Sequence, residues 1–129
     1  MMSEIFNIEI ITPDLTILKS EATEVTIPSF EGQMGILKDH IPIITFLRPG
    51  IIFVKNKGEK KFFVEEGTVE FSKNNLLILT TKARDLEKFE KKEINQLIDD
   101  AKKSIINESL SDKEKYVASY KIESLKEIN

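Results

Sequence analysis

Hydrophobic and polar positions follow two different periods along this chain, and the change falls near residue 84. In the first part Phe6, Ile8 and Ile10 alternate with Asn7 and Glu9. That is the period-2 pattern of a strand with one buried face, and Pro13-Asp14 closes it with a turn. Val25 and Ile27 repeat the alternation before Pro28 and Ser29. Residues 51–55 and 61–65 are apolar, β-branched or aromatic runs joined by Asn56-Lys57-Gly58-Glu59, a hairpin signal. Residues 68–72 and 76–80 flank Lys73-Asn74-Asn75, a second one. Short strands at this spacing, with turn residues between them, predict a β-sandwich or barrel of about eight to ten strands before residue 84.

From Asp85 onward the period becomes helical. Ile94, Leu97, Ile98, Ala101 and Ile105 align in one stripe. Asp99 with Lys103, and Glu87 with Lys91, have the i,i+4 spacing that supports an exposed helix face. Asn107 to Ser111 interrupts the pattern, and Ser111-Asp112-Lys113-Glu114 has the form of a capping box opening a second helix. On that helix Val117, Tyr120, Leu125 and Ile128 share an arc with Ala118 and Ile122. Every glycine and proline lies before residue 68, which places the turns in the first part and uninterrupted helix in the second. The predicted fold class is therefore α+β: an N-terminal β-sandwich over residues 1–84, then an antiparallel two-helix hairpin over 85–129. So small a hairpin has little core of its own and must rest on the sandwich or on another protein. Low intrinsic stability would permit it to detach.

Composition narrows the chemistry. The 129 residues carry a formal net charge of -3 with the two signs interspersed, so nucleic-acid phosphates are not an expected partner. The absence of cysteine excludes disulfides, thiolate metal sites and cysteine nucleophiles together. Glu4 and Asn7 interrupt the place where a secretory signal needs an apolar run. No apolar run approaches the ~20 residues needed to span a bilayer. The single sequon, Asn107-Glu108-Ser109, is read as chance.

The densest stretch of unusual residues is FEGQMGILKDHIPIITFL, residues 30–47. Gly32 and Gly35 suggest a phosphate loop, but no Lys-Ser/Thr follows them, and a tight turn using positive φ is the simpler reading. His40 is the only candidate for a near-neutral acid or base. A triad would need a nucleophile within hydrogen-bond reach and an orienting carboxylate, for which the neighbouring Asp39 is badly placed. With no second histidine and no cysteine, a metal site would have to be all carboxylate or nearly so. Glu65-Glu66 and Asp99-Asp100 read as solvated charge, and Phe62, Phe63 and Phe71 as sandwich core. No catalytic, metal or nucleotide site emerges. The run around Pro42, with Ile41, Ile43, Ile44, Phe46 and Leu47, reads as an edge or irregular segment. Exposed, it is a protein-docking patch; buried, it is core.

Taken in order, Glu31-Gly32-Gln33-Met34-Gly35-Ile36-Leu37, Asp39-His40-Ile41-Pro42, Leu47-Arg48-Pro49-Gly50 and Glu66-Gly67-Thr68-Val69-Glu70 resemble the epsilon subunit of bacterial F-type ATP synthase. The resemblance runs from about Phe6 to the C-terminus. It implies a non-catalytic central-stalk subunit, without cofactor, whose sandwich binds the gamma subunit and the ring of c subunits and couples proton-driven rotation to ATP synthesis. It also implies a hairpin that, in many bacteria, extends along gamma towards the alpha and beta subunits and inhibits ATP hydrolysis. By the same resemblance Glu31, Gly32 and Gln33 face the c ring, and His40, Ile41, Pro42 and Ile43 lie against gamma. The expected location is peripheral, on the cytoplasmic side of the bacterial inner membrane.

Two departures qualify what the resemblance implies. The family often has Glu where this chain has Gln33, leaving Glu31 as the loop's acidic group. Family members whose hairpin binds ATP carry Leu/Ile-Asp-x-x-Arg-Ala, whereas this chain reads Leu86-Glu87-Lys88-Phe89-Glu90-Lys91. With no longer basic tail after the second helix, and with Lys113, Lys115, Lys121 and Lys126 read as an ordinary solvated face, weak or absent inhibition is expected. The competing readings are a free-standing sandwich that binds a ligand or nucleotide with its hairpin as sensor, and a hydrolase built around His40.

Overall fold

The computed structural model describes residues 4–107 and 109–128. Among them ten strands precede two helices. The strands are β1 Phe6–Ile11, β2 Thr16–Ala22, β3 Glu24–Ser29, β4 Gly32–Leu37, β5 Ile43–Leu47, β6 Gly50–Lys55, β7 Glu59–Val64, β8 Gly67–Ser72, β9 Asn75–Thr80 and β10 Ala83–Asp85. The helices are α1 Lys91–Ile106 and α2 Asp112–Ile128. The predicted class, a sandwich followed by a helical hairpin, is what the chain forms.

Hydrogen-bonded neighbours run β10-β7-β6-β3-β5-β8-β9-β1-β2, with β4 on the other edge of β3. All pairs are antiparallel except β1 with β9. The predicted hairpins are β6–β7 and β8–β9. In the second, Lys73 (φ 50°) and Asn74 (φ 60°) are both left-handed, the type I′ geometry that matches strand twist. β3 turns the corner between the two layers. Its first half pairs with β6 and its last residue, Ser29, with Leu47 of β5, as strands that switch sheets do. Pro28, which has no N–H to donate, sits at the changeover.

The alternating apolar residues fill the space between the layers. Ile8, Ile10, Val25, Ile27, Ile36, Leu47, Ile52, Val69 and Ile78 are fully enclosed, each worth about 1.5–3 kcal/mol of transfer free energy relative to exposure. Phe62 and Phe71 join this core as predicted, but Phe63 does not. Adjacent strand residues point to opposite faces, so Phe63 leaves the sandwich interior and packs with Phe89, Ile94, Ile98 and Leu125 in a second core.

That second core seats the hairpin. Of the predicted α1 stripe, Ile94, Ile98 and Ala101 are buried and Leu97 and Ile105 half-buried. The predicted capping box forms, Ser111 Oγ accepting from Glu114 N–H at 3.1 Å while Glu114 Oε1 accepts from Ser111 N–H at 3.2 Å. One expectation fails: Glu87 lies in a 3-10 turn, Leu86–Lys88, capped by Asp85, so Glu87 and Lys91 do not share a helix. The sequon includes Glu108, outside the described residues.

Two small residues let α2 approach the sandwich. Ser124, buried, donates to Pro49 O at 3.2 Å and to Tyr120 O at 2.8 Å. A Cβ on Gly50 would stand 2.6 Å from Pro28 Cβ and 3.8 Å from Ser124 Oγ. Beside this contact Lys121 Nζ lies 2.7 Å from Glu65 Oε1, with side chains only 19% and 18% exposed. Glu65 and Lys121, read from sequence as solvated charge, instead form a half-buried ion pair, because folding the hairpin down removes both from water.

Candidate functional site

The stretch that drew attention in the sequence becomes two surface features separated by β4. Six strand residues at about 3.3 Å each put them roughly 20 Å apart. The β3–β4 turn presents Glu31 and Gln33, both exposed. Gly32 has φ +119°, a conformation that favours glycine. Gly35 lies inside β4 rather than in the turn, so the expected two-glycine turn rests on Gly32 alone. Ser29 Oγ braces the turn by donating to Gly32 O at 2.7 Å and accepting from Glu31 N–H at 3.3 Å.

At the far end of β4, residues 38–42 form an irregular loop. Asp39 is left-handed (φ 64°). Its N–H donates to Asn74 Oδ1 at 2.7 Å, and its carboxylate accepts from Asn74 Nδ2 at 2.9 Å. His40 Nδ1 lies 2.7 Å from Ile41 O. A carbonyl only accepts, so Nδ1 carries the proton. The ring stands edge-on to Phe71, centroids 5.9 Å apart. Asp39 is thus engaged by Asn74 and does not orient His40, so no acid–base dyad is assembled. Ile41 is 75% exposed, Pro42 is exposed, and Ile43 packs on the sandwich core.

The apolar run after Pro42 is more regular than its sequence suggests. The proline stays outside, and β5 pairs with β8 over its whole length. Period-2 alternation then decides what spacing left open: Leu47 is buried, whereas Ile44 and Phe46 are 76% and 61% exposed. Phe46 lies opposite Thr68, Thr68 opposite Leu79, and Leu79 opposite Ile11. Residues directly opposite share a face, so one row across four strands carries Phe46, Leu79 and Ile11 outward. With Ile44, this leaves Phe46 and Leu79 as uncovered apolar side chains on the outer face, beside the half-covered Ile11.

Small-molecule chemistry finds less support. A cleft of about 460 Å³ between the hairpin and the β7–β8 turn is lined by Glu65, Glu66, Asp100, Glu114, Lys113 and Lys121, among others. Carboxylates outnumber lysines there, which disfavours a polyphosphate. Among the described residues no group of three or more histidine or carboxylate side chains is arranged to hold a metal ion. No helix among them is long and apolar enough to cross a membrane.

Three residues hold these features together: Arg48, which the sequence shows only as part of a motif, Tyr120, which it shows only as part of an apolar arc, and Tyr116, which it does not single out. Arg48 Nε donates to Ser29 O at 3.0 Å, and its guanidinium lies 4.1 Å from the centroid of the Tyr120 ring. Tyr116 stacks against Phe30 at 6.4 Å and shares a 2.7 Å hydroxyl hydrogen bond with Tyr120. That bond holds the Tyr116 hydroxyl above its ordinary pKa of 10.0. Two tyrosines at i,i+4 on α2 were the available signal.

The family described as ATP synthase, delta/epsilon chain, beta-sandwich domain matches residues 5–85. This chain belongs to it. The delta/epsilon match ends with the last residue of β10, but similarity continues through the hairpin. The ATP synthase epsilon chain of Pelagibacter ubique (strain HTCC1062) is 46% identical over 99% of this chain and 100% of its own length. The chloroplastic ATP synthase epsilon chain of Gracilaria tenuistipitata var. liui is 36% identical over 87% of this chain and 84% of its own. Among solved structures, a chain in the Euglena gracilis mitochondrial ATP synthase OSCP/F1/c-ring assembly matches with a TM-score of 0.72 and 20% identity, covering 98% of this chain and 79% of that one. A chain of the Tetrahymena thermophila mitochondrial ATP synthase central stalk and c ring matches at 0.65 and 17%, covering 94% and 93%. At these identities the structural likenesses speak for the fold alone.

Proposed function

We propose that this chain is the epsilon subunit of an F-type ATP synthase: a central-stalk subunit that couples c-ring and gamma rotation to ATP synthesis without an active site of its own. The observation that carries this reading is the 46% identity to an ATP synthase epsilon chain along that relative's entire length.

Within this role residues 1–84 act as the stalk-binding sandwich and 85–129 as the hairpin. Glu31, Gly32 and Gln33 face the c ring, at the turn braced by Ser29. His40, Ile41, Pro42 and Ile43 lie against gamma in the loop held by Asn74. Ile44 and Phe46 extend that surface, because water-exposed Ile and Phe gain most from being covered. The hairpin is the part that would meet the alpha and beta subunits. The chain sits peripherally on the cytoplasmic side of the bacterial inner membrane, held there by the c ring rather than by a span of its own.

Co-purification tests the reading. A tagged copy expressed in its host brings down gamma and the c ring under mild conditions, and recovery without any synthase subunit would sink the proposal.

A further inference from the structure

The β3–β4 turn and the hairpin are distant in sequence, yet one cation touches both. Arg48 N–H donates to Pro28 O at 3.0 Å, and its Nε donates to Ser29 O at 3.0 Å. The same guanidinium lies 4.1 Å from the centroid of the Tyr120 ring of α2. Ser29 is the residue whose hydroxyl fixes both Glu31 N–H and Gly32 O. A second link runs alongside, Phe30 of the turn stacking on Tyr116 one helical turn before Tyr120, with the two tyrosine hydroxyls bonded to each other.

We infer that Arg48 is a positioning residue that makes the backbone order of the β3–β4 turn depend on α2 being docked. A guanidinium suits this task because it is planar and delocalised: it can donate from its edge while its face remains available to an aromatic ring, whereas an ammonium offers the ring only a compact, strongly hydrated point charge. With α2 in place, Arg48 is held from above by Tyr120 and keeps Ser29 where its hydroxyl closes the turn. With α2 away, Arg48 and Phe30 lose their aromatic partners at the same moment. Glu31 and Gln33 are then presented by a looser loop. Coupling between two sites is reciprocal, so a partner that grips the ordered turn also holds the hairpin down. The consequence for docking rests on the reading of Glu31, Gly32 and Gln33 as an interaction surface, whereas the coupling itself is internal to the chain.

Backbone relaxation on the full-length protein, without any partner, tests it. In the native chain the amides of Phe30, Glu31 and Gly32 have order parameters near the rigid value of about 0.85. Tyr120→Leu removes the ring face and lowers them below about 0.6, while the core amides of Ile8 and Ile78 stay at native values. Tyr120→Phe keeps the face, loses only the hydroxyl and leaves the turn rigid. Should Tyr120→Leu fail to fold, Tyr120→Met, unbranched and strongly helix-forming, is read by the same criterion. A turn that stays rigid without the ring, or one that Tyr120→Phe loosens equally, overturns the inference. Neither result bears on the stalk reading, since no partner is in the sample.

Discussion

Lys121 on α2 reaches Glu65, just beyond β7, at 2.7 Å, and each side chain is less than one-fifth exposed. An exposed pair contributes little, but a covered one is costly to break by halves, because the remaining charge stays out of water unpaired. Lys121→Ala is expected to lower stability by about 1–3 kcal/mol. Adding Glu65→Ala should recover part of that loss. A double-mutant cycle in urea measures the coupling. Strictly additive single effects would show the pair to be without consequence.

Gly67 and Gly50 are fixed by close approach. A Cβ on Gly67 would lie 2.8 Å from Thr80 Cα, and one on Gly50 2.6 Å from Pro28 Cβ. Backbone cannot yield as a side chain can, so Gly67→Ala should cost about 3 kcal/mol or more, with Gly50→Ala less. A methyl group on Gly35 would meet nothing within 4 Å, so this position should accept alanine within about 0.5 kcal/mol. Thermal unfolding of the three variants gives the order directly.

Phe46 and Ile44 are the outward residues of β5. Phe46→Asp should leave stability within about 0.5 kcal/mol of native. It should weaken binding to gamma at least about tenfold, the loss of a covered aromatic anchor. Titration calorimetry with gamma reads the second effect and urea unfolding the first. Native affinity in a folded Phe46→Asp protein would remove this face from the interface.

Tyr116 provides a pH-dependent contact. Its hydrogen bond with Tyr120 raises its pKa above 10.0, against the opposing pull of Arg48. The neutral phenol is therefore the form favoured in the fold. Its contribution to stability is complete below the unfolded value of 10.0 and is lost as pH rises through the higher folded value. Phenolate absorbance should show Tyr116 ionising later than a free tyrosine, and Tyr120→Phe should return the midpoint downward. A midpoint that ignores Tyr120→Phe would contradict this.

The strand pattern was legible because one-sided burial writes a period of two, as at Phe6, Ile8 and Ile10, and because Lys73-Asn74 names its own turn. The hairpin was legible from the Ile94, Ile98 and Ala101 stripe and from Ser111 with Glu114. Phe63 was misread because neighbouring aromatic residues on a strand serve different cores, and sequence does not say that a helix waits on the second face. Lys121 with Glu65, and Arg48 with Tyr120, were illegible for a related reason: they are separated by 56 and 72 residues, and only the docking of α2 brings them together. At the candidate site, motif order supplied the family and adjacency already argued against Asp39 orienting His40, while the engagement of Asp39 by Asn74, 35 residues away, was illegible because only the fold brings the two together.

Proton-driven ATP synthesis in vesicles carrying the rest of the synthase, assembled with and without this chain, tests the coupling role most directly. Synthesis should appear with the native chain, fall sharply without it, and be poorly restored by Phe46→Asp. Equal synthesis with and without the chain would contradict its place in the rotor.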